Sequence, residues 1–203
     1  MRTDQAQPAA RTSERGAATR SGLLAAAREV FTSVGYARAG VTDIVTHAGA
    51  SVVSLYHHFS GKADLFVTLF EELHRDQVER TRLAVWCARD AGITDPRELF
   101  LAGARGYLDG CVQTRELSAL FVRGDGPPGF DLVRRKRLAQ WSERNAEFFA
   151  RSGEPLDEAV AIVMTGALML AVAEISLCTD DERAHRIVDG VIQVLSRIEI
   201  PSS

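Results

Sequence analysis

The sequence predicts an all-α protein of about nine helices. Three observations carry that prediction. Apolar residues recur at spacings of three and four through most of the 203 residues, the period that lines one face of a helix. No alternating strand pattern of useful length and no internal repeat is present. Glycine, proline and capping side chains break the periodic runs where helices end and begin.

Residues 1–13 are polar, carry Pro8 and predict a disordered arm. Leu23, Ala27, Val30, Phe31 and Val34 then share one face of a first helix. Gly35 stops it, because glycine takes the left-handed position at little cost. Val41, Ile44, Val45 and Ala48 form the apolar side of a short second helix that ends at Gly49. Ser51 caps a third, in which Leu55 and Phe59 lie one turn apart on the inner side, and Ser60-Gly61 ends it. A fourth runs from Lys62 to about Arg89, with Leu65, Phe66, Leu69 and Leu73 as its early stripe. Asp95-Pro96, a cap followed by proline at the first helical position, opens a fifth that reaches about Gln113. A short helix at about 115–122 leads to the loop RGDGPPGF. A long helix at about 130–151 carries Leu132, Leu138, Trp141, Phe148 and Phe149, and Gly153-Glu154-Pro155 breaks it. Two closing helices span about 155–178 and 181–198.

The bulk numbers fit a soluble globular chain, with 46% hydrophobic and 25% charged residues. The net charge of −3 is unevenly spread: residues 1–62 hold seven basic and four acidic side chains, a local +3 on an otherwise acidic molecule. A positive front end suits an anionic partner. Cys87, Cys111 and Cys178 are widely spaced and form no CxxC pair, which argues for reduced thiols rather than a disulfide scaffold or zinc site. The start lacks the apolar run of a secretion signal. Residues 159–178 are apolar enough to span a membrane, but Glu174 interrupts them and no basic cluster flanks them. They read as a helix buried on more than one side, with no membrane partner and a cytoplasmic location.

Two short helices joined through Gly49 have the dimensions of a helix-turn-helix, whose second helix lies in the DNA major groove. The stretch SVVSLYHHFSGK, residues 51–62, suits that task. Its leading residues are small enough to enter a groove. Ser54, Tyr56, His57 and Lys62 offer donors to phosphate, and Thr42 adds a hydroxyl from the first turn of the preceding helix. Val52 and Val53 are apolar partners for thymine methyls. The adjacent His57 and His58 diverge by about 100° on a helix and cannot share one ion; a zincin pair needs i, i+4 spacing with an intervening Glu. No metal and no cofactor is expected. His58 is assigned a packed or capping role.

Residues 19–66 resemble the N-terminal DNA-binding domain of the TetR family of bacterial repressors. The likeness rests on Phe31 with Gly35-Tyr36, Val41-Thr42-Asp43-Ile44, Ala48-Gly49, Ser51-x-x-Ser54-Leu55-Tyr56-His57-His58-Phe59, Gly61-Lys62 and Leu65. It implies backbone contacts from Thr42, Ser54, Tyr56, His57 and Lys62, with readout by Val52 and Val53. Three positions depart from the family pattern: Val52-Val53 replace a common Lys-Gly, and Gly40 stands where Thr or Ser often caps the second helix.

The expected organisation is therefore an arm at 1–13, a helix-turn-helix domain at 14–61 with its motif at about 41–59, and an effector-binding and dimerisation domain at 62–200. Neither closing helix has a wholly polar side, so each should bury two faces; Val163, Ala167, Leu170, Val191 and Leu195 are the expected homodimer contacts, in agreement with the family's dimer interface. Trp86, Phe100, Tyr107, Phe121, Trp141 and Phe148 are candidates to line a small-molecule cavity. Sparse buried charge favours an apolar or amphipathic effector, with Arg105 and Glu174 as the charged candidates.

GDGPPG, residues 124–129, matches G-x-G-x-x-G by letter, but no strand precedes it and Pro127 and Pro128 have no N–H for a phosphate. It is expected to be a rigid turn. The basic run RRKR at 134–137 reads as a solvated helix face. No Ser-His-Asp elbow, P-loop or zinc set is present. The function expected is a DNA-binding transcriptional regulator, a dimeric repressor released from a palindromic double-stranded operator by an effector. The alternatives are a regulator controlled by protein contacts alone and a helical enzyme.

Overall fold

The computed structural model of the chain describes residues 7–122, 124–151 and 157–198. Among them are nine helices and no strand: α1 (Gln7–Arg38), α2 (Val41–His47), α3 (Val52–His58), α4 (Lys62–Asp90), α5 (Pro96–Gln113), α6 (Arg115–Val122), α7 (Phe130–Arg151), α8 (Glu158–Leu177) and α9 (Asp181–Leu195). Helical backbone thus begins within the expected arm, at Gln7; residues 1–6 lie outside the described residues. Gly35 breaks α1 as expected, at φ 81° and ψ 163°.

The chain forms two compact units, Met1–Glu71 with Asp125–Pro127, and Glu72–Gly124 with Pro128–Ser203. The division falls inside α4, ten residues past the expected boundary at 61. The reason is the early stripe of α4: Leu65, Phe66 and Leu69 are buried with the core of the first unit.

In the first unit Leu23, Ala27 and Phe31 of α1, Ile44 of α2 and Leu55 of α3 are fully buried. Phe31, Tyr36 and Phe66 form a closed aromatic trio with ring centroids 5.0 to 5.8 Å apart, separations at which edge-on pairs attract. Val34 is 36% exposed, unlike the rest of the predicted stripe, because α1 breaks at the next residue.

In the second unit, Phe100, Leu108 and Cys111 of α5 share a core with Phe149 of α7, Leu168 and Ile175 of α8, and Val188 and Leu195 of α9. Ion pairs run along the α5–α9 side: Arg105–Asp189 at 2.8 Å and His185–Asp109 at 3.8 Å, with Arg115 of α6 on Asp181. Arg105 is therefore a surface partner of Asp189, and Glu174 is exposed, so neither is an interior effector contact. Three glycines let α4 come close to α5. A Cβ at Gly106 would lie 2.6 Å from the Ala84 Cβ, at Gly103 2.9 Å from Val85 Cγ2, and at Gly110 2.7 Å from Arg80 Cδ.

Helix ends follow local chemistry. The Asp95 carboxylate accepts from Glu98 N–H, with Pro96 next. The α8 start comes later than the expected 155, because the Asp157 carboxylate accepts from Ala159 and Val160 N–H; residues 152–156 lie outside the described residues. The α9 helix ends at Leu195 rather than 198, where the Arg97 guanidinium takes the Ser196 and Ile198 carbonyls.

Candidate nucleic-acid interface

The α2–α3 pair is built by backbone rules. At the end of α2, Gly49 (φ 60°) allows the Gly49 N–H to donate to Thr46 O and Ala50 N–H to Val45 O, at 3.2 and 2.9 Å. These two bonds satisfy carbonyls that a helix end leaves open and fix the turn. Ser51 Oγ accepts from Ser54 N–H at 3.1 Å and starts α3. At the front of α2, Gly40 offers no side chain, and the Asp43 carboxylate accepts the Gly40 N–H at 3.0 Å instead. Half of a capping box thus stands in for the missing hydroxyl.

Helical geometry then sorts α3. Leu55 is fully buried and Phe59 is 3% exposed. Val52, Val53 and Tyr56 are 43%, 80% and 57% exposed, and His57 is exposed beside them. Positions 52, 53, 56 and 57 cover an arc of about 140° at about 100° per residue. Thr42 is exposed at the front of α2, and Ser54 is half-buried. Four of the seven residues proposed for DNA contact thus share one open face of α3, with Thr42 exposed on α2 and Ser54 half-buried beside the arc.

Lys62 is the exception. Its ammonium donates to the carbonyls of Tyr36 (2.8 Å) and Ala39 (2.9 Å) and sits 4.3 Å from the Tyr36 ring centroid. Its donors are spent on the chain that follows the α1 break, so the assignment to phosphate is corrected to a structural one. His58 is half-buried, 5.0 Å ring to ring from His57, with Cε1 3.9 Å from where a Gly16 Cβ would be. This fits its packed role.

Three contacts that the sequence did not signal hold this unit. His47 pairs with Glu29 across α1 and α2. The Arg20 guanidinium lies 5.0 Å over the Phe59 ring. Asp125 accepts the Ala37 N–H on both carboxylate oxygens, at 3.2 and 3.3 Å. Burial, and then this carboxylate, push the Tyr36 hydroxyl above its ordinary pKa. GDGPPG is a turn, as expected, and its Asp125 is a partner of the first unit.

The remaining expected sites lie in the second unit. Phe100 packs 5.4 Å from Phe149, Phe148 packs 5.5 Å from Phe149, and Tyr107 packs 5.0 Å from Trp141. Phe121 is buried against Phe130. Trp86 is 62% exposed, on the outer side of α4, and is removed from the effector set. Gln77 donates to Cys111 Sγ at 3.2 Å, and burial pushes that thiol up to about 12 and the Tyr107 hydroxyl well above its usual range. Of the dimer candidates, Val163 and Leu170 are exposed and Ala167 and Val191 half-buried. Leu195 is 1% exposed inside its own core, and its neighbour Val194 is exposed instead. One residue is 100° of helix, which moves the side chain from the inner to the outer face.

The family model for bacterial regulatory proteins of the tetR family matches residues 23–69, which hold the inner face of α1, the α2–α3 pair and the start of α4. Residues 23–69 thus match the DNA-binding region of the TetR family. Two curated regulators share that region. The HTH-type transcriptional activator FasR of Mycolicibacterium smegmatis is 34% identical over 90 residues, 44% of this chain and 39% of FasR. The HTH-type transcriptional regulator TtgR of Pseudomonas putida is 38% identical over 64 residues, 32% of this chain and 30% of TtgR. The aligned part is thus less than half of either relative. A solved TetR-family regulator from Syntrophomonas wolfei superposes with a TM-score of 0.70 at 17% identity, over 89% of this chain and 96% of its own. That likeness shows a shared fold over 89% of this chain.

Proposed function

We propose that this protein is a cytoplasmic, non-enzymatic transcriptional repressor of the TetR family that binds a palindromic operator as a homodimer and leaves it when a small apolar or amphipathic effector binds. One observation carries the reading. Val52, Val53, Tyr56 and His57 are exposed along one side of α3, while Leu55 and Phe59 anchor the other. Apolar side chains left open at a helix face suit thymine methyls, and the hydroxyl and imidazole beside them suit phosphate.

A dimer supplies the second reading head. Ile162, Val163, Leu170 and Leu177 of α8 and Val194 of α9 are large, apolar and more than half exposed. Such a stripe favours covering by a second copy. Two copies would then present α3 to half-sites about 34–36 Å apart, or a multiple of that.

Selection of bound duplexes from a random pool tests the reading. The selected sequences should be palindromic, and log Kd should rise linearly with log salt. Tyr56→Ala should weaken all sequences about equally, and Val53→Ala should relax the preference at one position in each half-site. No enrichment, with no duplex binding at low salt, would refute it. The FasR name denotes an activator, so a reporter gene carrying the selected site decides whether occupancy here lowers or raises expression.

A further inference from the structure

Two polar groups of the second unit, one on the buried Thr165 and one on the half-buried Asn145, lack a partner. Asn145 Nδ2 of α7 and Thr165 Oγ1 of α8 are buried and make no hydrogen bond among the described residues. Thr165 is 5% exposed, between the buried Ala161 and Leu168 on its own helix. It differs from other helical hydroxyls here. Thr81, Thr114 and Ser176 each donate to the carbonyl four residues back; Thr165 does not use the Ala161 carbonyl. A buried donor without an acceptor is costly, so its retention asks for a partner from elsewhere.

The two groups lie at similar depth. The α7 and α8 helices pack together and are joined by residues 152–157, too few to cross back along a 22-residue helix, so they run antiparallel. Asn145 is six residues before the end of α7, and Thr165 is seven after the start of α8. At 1.5 Å per residue they stand about 9 and about 11 Å from the same end. Trp141 and Phe149, one turn to either side of Asn145, pack on Tyr107 and Phe100. The surroundings are therefore aromatic and aliphatic with two isolated polar points. The buried polar residues of the described set are Gln77, Ser118, Thr165 and Ser176, none charged. Arg144, beside Asn145 on α7, is an exposed side chain.

We infer that Asn145 and Thr165 are the polar contacts for the effector, and that the effector is an uncharged, mainly apolar molecule bearing a carbonyl, ester or ether oxygen. The inference rests on the effector-responsive reading above. The Asn145 amide donates to the ligand oxygen. The Thr165 hydroxyl donates to a second lone pair, or accepts from a ligand hydroxyl. A buried anion gains little here, since the Arg144 side chain beside Asn145 is exposed and offers its charge in water rather than in the interior.

The test uses full-length protein, the near-isosteric Thr165→Val and Asn145→Leu, and three probes of matched chain: methyl decanoate, 1-decanol and decanoate. Without probe, both variants should unfold at or above the wild-type Tm, because each removes an unpaired donor. Methyl decanoate should raise the wild-type Tm, and each substitution should weaken its Kd about tenfold, the worth of one buried hydrogen bond. Decanoate should bind at least tenfold more weakly than the ester. A lower Tm in both variants would show that these groups already have protein partners and would overturn the inference. Tighter binding of decanoate, or no binding of any probe to wild type, would do the same. Operator binding by the same samples separates this failure from that of the regulator reading: a protein that binds its selected duplex but prefers the anion keeps the function and loses the ligand class.

Discussion

Gly35 and Asp125 meet in a way that a double-mutant cycle can read. Gly35 sits at φ 81°, ψ 163°, a region essentially restricted to glycine, where another residue costs about 1–3 kcal/mol. A Cβ built there would also lie 2.6 Å from Asp125 Oδ2, so Gly35→Ala must push away the carboxylate that holds Ala37 N–H. A hydrogen bond to a charged group is worth about 1.5–3 kcal/mol, and the exposure of Ala37 brings it nearer about 1 kcal/mol. Asp125→Ala alone should therefore cost about 1 kcal/mol, and Gly35→Ala alone about 2–4 kcal/mol, the strain plus the lost bond. The double variant can lose that bond only once. Its cost should fall short of the sum of the single costs by about 1 kcal/mol. Urea unfolding of the full chain, followed by far-ultraviolet circular dichroism, gives all four corners. Additive costs, or an Asp125→Ala variant as stable as wild type, would show that this carboxylate does not hold the turn.

Three further outcomes are expected. Lys62→Met should destabilise the protein by about 2 kcal/mol through lost carbonyl and ring contacts, with the salt slope of operator binding unchanged; a fall in slope of about 0.9 would restore Lys62 to phosphate contact. His74 is held below its ordinary pKa by burial, then by Arg137 and Arg144, so the unfolded chain takes up this proton first as pH falls. Its contribution is present above pH ~6.5 and fades below it; His74→Gln should flatten that part of the Tm–pH curve, and an unaltered curve would contradict the assignment. Cys87 is exposed, while Cys111 and Cys178 are buried and the Cys111 thiol is raised to about 12. Iodoacetamide at pH 8 should label Cys87 in the native protein and reach Cys111 only on unfolding, as mass mapping would show.

The readable part of the fold was the part written locally. Gly35, Gly49 and Asp95-Pro96 each act within a turn of where they stand, and the breaks they predicted are present. The inward pair Leu55 and Phe59 follows from helical period alone. What failed depended on distant chain. Lys62 reads as a free cation until the carbonyls of Tyr36 and Ala39 are placed around it. Asp125 lies 88 residues from Ala37 and carried no signal beyond a turn motif. Trp86 has the composition of a core residue, and only the arrangement of neighbours leaves it outside. The exchange of Leu195 for Val194 has another cause: with apolar residues on both sides of α9, periodicity cannot say which side is inner.

The glycines of α5 also bear on how α4 can move. Where helices meet through long side chains, one can tilt on the other as rotamers change. At Gly103 and Gly106 that cushion is missing, and α4 bears directly on the peptide chain of α5 through Val85 and Ala84. A rigid rail of this kind resists tilt and compression alike. Displacement of this half of α4 is thereby confined to gliding lengthwise along the rail or lifting off it, and a single methyl group at Gly106 would act as a stop.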